Sequence, residues 1–218
     1  MARFTPESSD DRTDATAFAG RVARWNPTEP VRLIAGDGQV TLWASTPFDV
    51  LATRTVRGSL RPETVTVRAA DLLGGLAVST APDVDPGHDL GDAWRNRLPP
   101  PDGWQAIDDV PASVVEQIVR TGTEAAARLD QQGEHIPGSA RSASVPEEVL
   151  EAASITVTRD GRDIAVPLRV LFALSGMGFA AGYPDEVVRV RATRTWLRLD
   201  ARYGAVVRRR IARLPLLV

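Results

Sequence analysis

The chain has 218 residues, of which 43% are apolar and 25% charged, and its formal net charge is −2. This composition is typical of a folded globular protein and excludes disorder throughout the chain. All 26 basic residues are arginine and cysteine is absent, which excludes Schiff-base chemistry, P-loop phosphate binding, thiol catalysis and cysteine metal sites.

Neither a membrane span nor an export signal is evident in the sequence. The longest apolar stretch, Val170–Ala181, is too short to cross a bilayer and contains two glycines. Met1–Asp14 is polar and acidic and has no apolar region behind a basic start. We therefore expect a cytoplasmic protein that has no membrane partner.

The first half of the chain predicts one helix followed by antiparallel strands. After a disordered N-terminus over residues 1–12, apolar residues spaced three and four apart predict a helix over Thr13–Trp25. Asp37-Gly38 favours a tight hairpin turn between two short apolar runs. The predicted strands are Val31–Ala35, Val40–Trp43, Val50–Arg57 and Thr64–Arg68, with a short helix around Leu72–Leu76.

Thr80–Gly103 contains five prolines and several aspartates, which favour neither a helix nor a central strand. We predict that it is a linker between two lobes. Beyond it, Asp108-Asp109-Val110-Pro111 predicts a helix start, with acids at the positive end of the helix dipole. The remaining predictions are a loop over Gln131–Arg141, a capping box at Ser144 and Glu147, an Asp160-Gly161 hairpin, and a helix over Pro167–Ser175 ended by Gly176.

These elements predict an α+β protein with two small lobes of antiparallel strands and packed helices. The lobes span residues 13–79 and 104–218, and residues 80–103 join them. Both halves run from a helix to an Asp-Gly hairpin and a strand with Ala-Thr-Arg-Thr, at Ala52–Thr55 and Ala192–Thr195. This order indicates either a weak internal duplication or a chance recurrence in a chain rich in these residues.

The motifs that could support catalysis or cofactor binding each have a simpler structural explanation. Gly176-Met177-Gly178 matches part of a dinucleotide fingerprint but follows a helix, which favours a helix cap. The acidic cluster Asp83–Asp92 with His88 lacks the spacing of a calcium loop. Asp108-Asp109 is explained by the helix dipole, and His135 by a solvated loop. We therefore expect no catalytic residue, no metal and no cofactor.

The most distinctive stretch is Glu186–Arg213, called here the arginine segment, because nine arginines stand there against few acids. A hairpin turning at Asp200–Gly204 is favoured over a helix for residues 201–214. As a strand, it would set Arg194, Trp196 and Arg198 on one exposed face, where a ring could stack on bases and guanidinium groups could neutralise phosphates. The predicted contact residues are Arg189, Arg191, Arg194, Trp196, Arg198, Arg202, Arg208, Arg209 and Arg210.

The arginine segment indicates a non-catalytic binding or regulatory protein that contacts an anionic partner, either nucleic acid or an acidic protein surface. Two other functions stay open at this stage. One is a small-molecule enzyme with its site between the lobes, and the other is a structural interaction module. In the last case the arginines form a solvated face paired with acids elsewhere in the molecule.

Overall fold

The computed structural model describes residues 2–78, 81–131, 147–159, 161–180 and 185–210. The predicted loop after Gln131, with His135 and the capping residue Ser144, lies outside these ranges, as do Asp160 and residues 211–214. Among the described helices, none is long and apolar enough to cross a membrane.

The described chain alternates helices with antiparallel strands, which confirms the α+β prediction. The helices are α1 (Ser9–Trp25), α2 (Ala69–Val78), α3 (Ala112–Gln131), α4 (Glu147–Glu151) and α5 (Leu168–Gly176). The strands are β1 (Arg3–Pro6), β2 (Pro30–Gly36), β3 (Gln39–Ser45), β4 (Leu51–Arg61), β5 (Thr64–Arg68), β6 (Gln105–Pro111), β7 (Ala153–Arg159), β8 (Arg162–Pro167), β9 (Val187–Ala192), β10 (Trp196–Ala201) and β11 (Gly204–Arg209).

Within the described ranges, nine strands form one antiparallel sheet, and β7 and β8 pair separately. Eight strands follow the order β5-β2-β3-β4-β11-β10-β9-β6, while β1 pairs with the far end of β4. The halves of the chain meet where Val206 of β11 pairs with Ala52 of β4. The division into two lobes stays a prediction, but their strands share this sheet.

The strand order is mirrored about the junction of β4 and β11. Each half supplies three consecutive strands and one outer strand, β5 or β6, that leads directly into a helix. The repeated Ala-Thr-Arg-Thr does not mark this symmetry. Ala52–Thr55 lies in β4 at the junction, whereas Ala192–Thr195 begins at the end of β9, which is not the equivalent strand.

The start of the chain is ordered, so the prediction of disorder over residues 1–12 is wrong. Phe4 of β1 is completely buried, and its backbone exchanges hydrogen bonds of 2.9 and 2.8 Å with Val84. The first helix begins at Ser9 because Ser8 caps it, its hydroxyl accepting from the Asp11 amide at 3.1 Å. The prediction failed because the segment is polar overall, yet its single phenylalanine, Phe4, is buried in the core and holds the strand in place.

The predicted helix start at Asp108 is also wrong. Asp108 and Asp109 lie in β6, an edge strand paired with β9, and α3 begins at Ala112. The two aspartates are tolerated there because β6 is largely exposed and Asp109 faces Arg189 across the strand pair. Cross-strand ion pairing therefore replaces the expected interaction with a helix dipole.

Two predictions in the C-terminal half are confirmed, the glycine cap of α5 and the hairpin in the arginine segment. The α5 helix ends in a cap in which Gly178 has a φ of 60°, and its amide donates to the Ser175 carbonyl at 2.7 Å. The Phe179 amide donates to the Leu174 carbonyl at 3.1 Å, which completes a Schellman motif whose left-handed glycine lies two residues after the predicted stop at Gly176. The β10–β11 hairpin confirms the strand interpretation of residues 201–209.

The sheet is covered on both faces. Its helix-facing side chains join the main core, while Trp43, Leu51, Trp196 and Val207 form a second buried cluster on the opposite face. That face is covered by residues 89–104, called here the strap, which contributes Trp94, Leu98 and Trp104. Burial of these three apolar side chains is the physical reason why part of a proline-rich segment crosses the sheet.

The path of the strap runs from one edge of the sheet to the other. The Leu90 amide donates to Thr66 of β5 at 2.7 Å, and the Asn96 side chain donates to Ser45 of β3 at 2.8 Å. Further along, the Arg198 guanidinium of β10 lies 5.9 Å from the centre of the Trp104 ring. The strap then continues into β6 at the opposite edge.

Candidate anion-binding site

Three of the predicted contact arginines form an ion-pair ladder on the face covered by the strap. Arg189 Nε lies 2.9 Å from Asp109 Oδ1, and Arg191 Nε lies 3.2 Å from Asp200 Oδ2. Arg198 Nε donates to the other oxygen of Asp200 at 2.6 Å. The hydrogen bond from Arg189 holds the pKa of Asp109 below its usual range, so Asp109 stays ionised at neutral pH and is unsuited to act as a general acid.

Arg208 turns toward the helices and forms a bidentate pair with Glu151 of α4, at 2.5 and 3.1 Å. Its side chain is only 10% exposed, so this arginine has a structural role in holding α4 against β11. Arg202 stacks on the Tyr203 ring at 5.7 Å, and Arg210 donates to the Thr193 carbonyl at 3.0 Å. Local contacts thus engage these three members of the predicted set.

Trp196 is buried, with 6% of its surface exposed, so the expectation of an exposed ring among the arginines is wrong. Its ring packs in the outer cluster, and the Arg209 guanidinium lies 6.0 Å from its centre. Arg194 and Arg209 are exposed and have no carboxylate partner among the described residues. These two arginines are the members of the predicted set that are available to a partner.

A cleft of about 440 Å³ opens at the end of the sheet where β3, β4, β10 and β11 meet the strap. We call it the arginine cleft. Trp196 and Val207 line it from the sheet, and Arg208 and Arg209 from the end of β11. Its strap side carries Arg95, Asn96 and Arg97, with Ser45 and Asp49 at the ends of the neighbouring strands.

The charges in the arginine cleft are unbalanced. Four arginines line it against one carboxylate, Asp49, and Arg208 is already paired with Glu151. Arg95, Arg97 and Arg209 are exposed and make no ion pair within the part of the chain that the structure describes. The hydrogen bond from Asn96 to Ser45 anchors the strap at this wall, so the segment that carries Arg95 and Arg97 is in place before any ligand binds.

Sequence reasoning missed Arg95 and Arg97 because they lie in the predicted linker. A weaker signal was present, since two large apolar residues, Trp94 and Leu98, flank Arg95-Asn96-Arg97 in an otherwise polar segment. Large apolar side chains in such a segment indicate that part of it is buried against the rest of the protein. The structure brings the two strap arginines together with Arg208, Arg209 and Trp196 of the predicted set.

The acidic cluster considered as a metal site has structural roles. Asp83 pairs with Arg3 and accepts from the Thr5 hydroxyl, at 2.9 and 2.8 Å. Asp89 accepts from the Thr66 amide at 3.2 Å, which ties the strap to the edge strand β5. No group of three or more possible metal ligands is present among the described residues.

Two family models match the sequence. Residues 1–96 match the domain of unknown function DUF8010, and residues 99–213, more than half of the chain, match the domain of unknown function DUF8185. The chain belongs to the DUF8185 family. A search of the curated proteins finds no sequence match for this family member.

Solved structures similar to this DUF8185 member are DNA polymerase sliding clamps. A putative DNA polymerase III beta subunit from Eubacterium rectale matches with a TM-score of 0.60 and 12% identity over 97% of this chain and 65% of the other. The Bartonella birtlesii clamp bound to griselimycin matches with a TM-score of 0.59 and 13% identity over 97% of this chain and 66% of the other. The Bacillus subtilis clamp matches with a TM-score of 0.59 and 12% identity over 99% of this chain and 66% of the other.

At 12% and 13% identity this likeness concerns the fold alone. The DUF8185 member spans only 65% to 66% of the length of these three clamp subunits. The shared fold therefore gives the framework of sheet and helices, and any function of the arginine cleft must be argued from its own residues.

Proposed function

We propose that this protein is a non-catalytic binding protein that contacts an anionic partner, nucleic acid or an acidic protein, through the arginine cleft. One observation carries the proposal: Arg95, Arg97 and Arg209 converge on the cleft from two distant parts of the chain without carboxylate partners among the described residues. The similarity to DNA polymerase sliding clamps supports a binding role, although only the fold is shared.

The chemistry of the cleft fits oxygen anions. A guanidinium group is planar and presents paired N–H donors that match both phosphate and carboxylate groups. The anchored strap reduces the entropy that is lost when the arginines are ordered around a ligand. Of the other predicted contacts, the exposed Arg194 would be free to contact the partner. The rest are engaged within the protein and would contribute less: Arg189, Arg191, Arg198, Arg202 and Arg210.

The test compares two triple variants that change the net charge equally. One carries Arg95→Gln, Arg97→Gln and Arg209→Gln. The control carries Arg24→Gln, Arg68→Gln and Arg120→Gln, all at exposed positions outside the cleft. Fluorescence anisotropy measures binding of each protein to a labelled DNA oligonucleotide and to a labelled poly-glutamate peptide over a range of salt concentrations.

If the partner is nucleic acid, wild-type affinity for the oligonucleotide falls with salt, and the cleft variant has a slope shallower by about 0.9 for each duplex phosphate that it no longer neutralises. The control variant keeps the wild-type slope. Binding to poly-glutamate alone would assign the cleft to acidic proteins, and capture from lysate that survives nuclease would agree with that result. The proposal is wrong if wild type binds neither probe at low salt, or if both variants weaken binding equally.

A further inference from the structure

A second pocket, of about 240 Å³, lies on the helix side of the sheet and is separate from the arginine cleft. It is bounded by α1, the capped end of α5 and the β10–β11 turn. Phe18, Met177 and Phe179 line it and are each at most 3% exposed, so its base is apolar. The rings of Phe18 and Phe179 stack nearly parallel, with their centres 6.4 Å apart.

The entrance of the pocket carries an excess of positive charge. Asp14 and Arg54 form an ion pair, and the Arg54 guanidinium lies 5.8 Å from the centre of the Tyr203 ring. Arg21 also lines the pocket. Two guanidinium groups thus face one carboxylate, and Asp14 is already engaged by Arg54. One positive charge remains without a counterion in this pocket.

Arg21 is placed by the helix cap beneath it. A Cβ at position 178 would clash with Arg21 Nη1, so the guanidinium rests directly against the Gly178 backbone, where no side chain intervenes. The negative end of the α5 dipole favours a cation at this position. With the residues that the structure describes, however, the Arg21 guanidinium makes no hydrogen bond and no ion pair.

Two effects oppose the positive charge of Arg21, although the end of the α5 dipole favours it. Partial burial lowers the pKa of its guanidinium, and the charge of Arg24 lowers it further. An anion bound at Arg21 would supply the missing counter-charge and acceptor oxygens.

We infer that this pocket binds a small organic carboxylate, with its carboxylate on Arg21 and its apolar body against Ala17 and the Tyr203 ring, above the buried base. The pocket is smaller than the roughly 300–1,000 Å³ that is usual for drug-sized ligands, so the ligand is small. The Tyr203 ring in its lining favours a ligand with a ring or a short hydrocarbon chain. The inference stands independently of the proposed anionic partner, since the two sites share no residue.

The chain offers a specific probe for this site, because it contains two methionines and only Met177 lines the pocket. Protein labelled with ¹³C at the methionine methyl groups is titrated with 3-phenylpropionate to about 10 mM, a range suited to a ligand this small. The neutral 3-phenylpropanamide serves as a matched ligand. We expect the Met177 signal to move in both titrations and the carboxylate to bind about tenfold more tightly.

Arg21→Gln is expected to remove the preference for the carboxylate, whereas Arg24→Gln, on an exposed neighbour, is expected to retain it. An unchanged Met177 signal in the free variants shows that the pocket is intact. The inference is overturned if Met177 does not respond to the carboxylate, if the amide binds equally well, or if both variants behave alike. Should Arg21→Gln fail to fold, the comparison of the two ligands on wild type decides the question.

Discussion

Nη1 of Arg169 donates a hydrogen bond of 2.9 Å to the backbone carbonyl of Phe48, which precedes it by 121 residues. Arg169 lies in α5, whereas Phe48 lies in the loop between β3 and β4. The same guanidinium pairs with Glu147, and its Nε lies 2.8 Å from Glu151, though outside hydrogen-bond geometry. One buried cation therefore joins the two halves of the chain next to the arginine cleft.

Replacing Arg169 by methionine is expected to destabilise the protein substantially. The substitution keeps the apolar stem but leaves the Phe48 carbonyl without its donor and Glu151 with one cation fewer. The side chains of Glu147 and Glu151 are 70% and 36% exposed, so both carboxylates stay partly hydrated. The unpaired carbonyl therefore dominates, and the free energy of unfolding should fall by about 2 kcal/mol. Urea unfolding measures the effect. Arg120→Met, on the exposed face of α3, is the control and should stay within about 0.5 kcal/mol. Equal values for the two variants would show that Arg169 does not join the halves.

Gly204 sets the close approach of β11 to β4, and alanine there should be poorly tolerated. Its φ is 153°, and an added Cβ would lie 2.6 Å from the Phe179 ring and 2.8 Å from the Thr53 carbonyl oxygen. Gly38→Ala is the matched control, because Gly38 also has a positive φ, of 72°, but has open space around it. We expect a loss of about 1 kcal/mol for Gly38→Ala from backbone strain alone. Gly204→Ala should lose about 3 kcal/mol because crowding adds to the strain. Thermal unfolding of both variants makes the comparison, and similar losses would contradict it.

Acid should weaken the contact between α4 and β11. The hydrogen bond from Arg208 lowers the pKa of Glu151 from its ordinary value of 4.5, against the opposing effect of burial. Because the folded-state pKa is the lower one, the stabilisation is fully present above about pH 4.5 and is lost as the pH falls through the folded value. Urea midpoints between pH 7 and pH 3 should therefore fall more steeply for wild type than for Glu151→Gln. If the urea midpoints of the two proteins fell in parallel with pH, the Arg208–Glu151 pair would contribute nothing to stability.

Trypsin is expected to cut the strap before the rest of the described chain. Arg95 and Arg97 are exposed and lie outside any helix or strand, so their peptide bonds are accessible. The fragments should nevertheless stay associated, because β4 and β11 pair across the cut. A denaturing gel should show two fragments, while gel filtration shows one particle of unchanged size. Initial cleavage within Val31–Arg68, or fragments that separate, would contradict this picture.

Local chemistry alone determined several elements of this protein. Asp37 and Gly38 have φ values of 51° and 72°, and such positive values are what make an Asp-Gly pair a hairpin turn wherever it occurs. The amphipathic spacing of α1 and the strands of the first half likewise depend on neighbours a few residues apart. Composition excluded lysine and cysteine chemistry regardless of the fold, because a residue type that the sequence lacks cannot act in any tertiary structure.

Only the tertiary structure decided how these elements combine. Val206 pairs with Ala52 over more than 150 intervening residues, and no local pattern specifies that register. The same long-range pairing buried Trp196, gave Asp109 a partner in Arg189, and placed Arg95 and Arg97 of the predicted linker beside Arg209. Charge content was visible in the sequence, but which arginines are neutralised depends on where distant carboxylates lie once the sheet has formed.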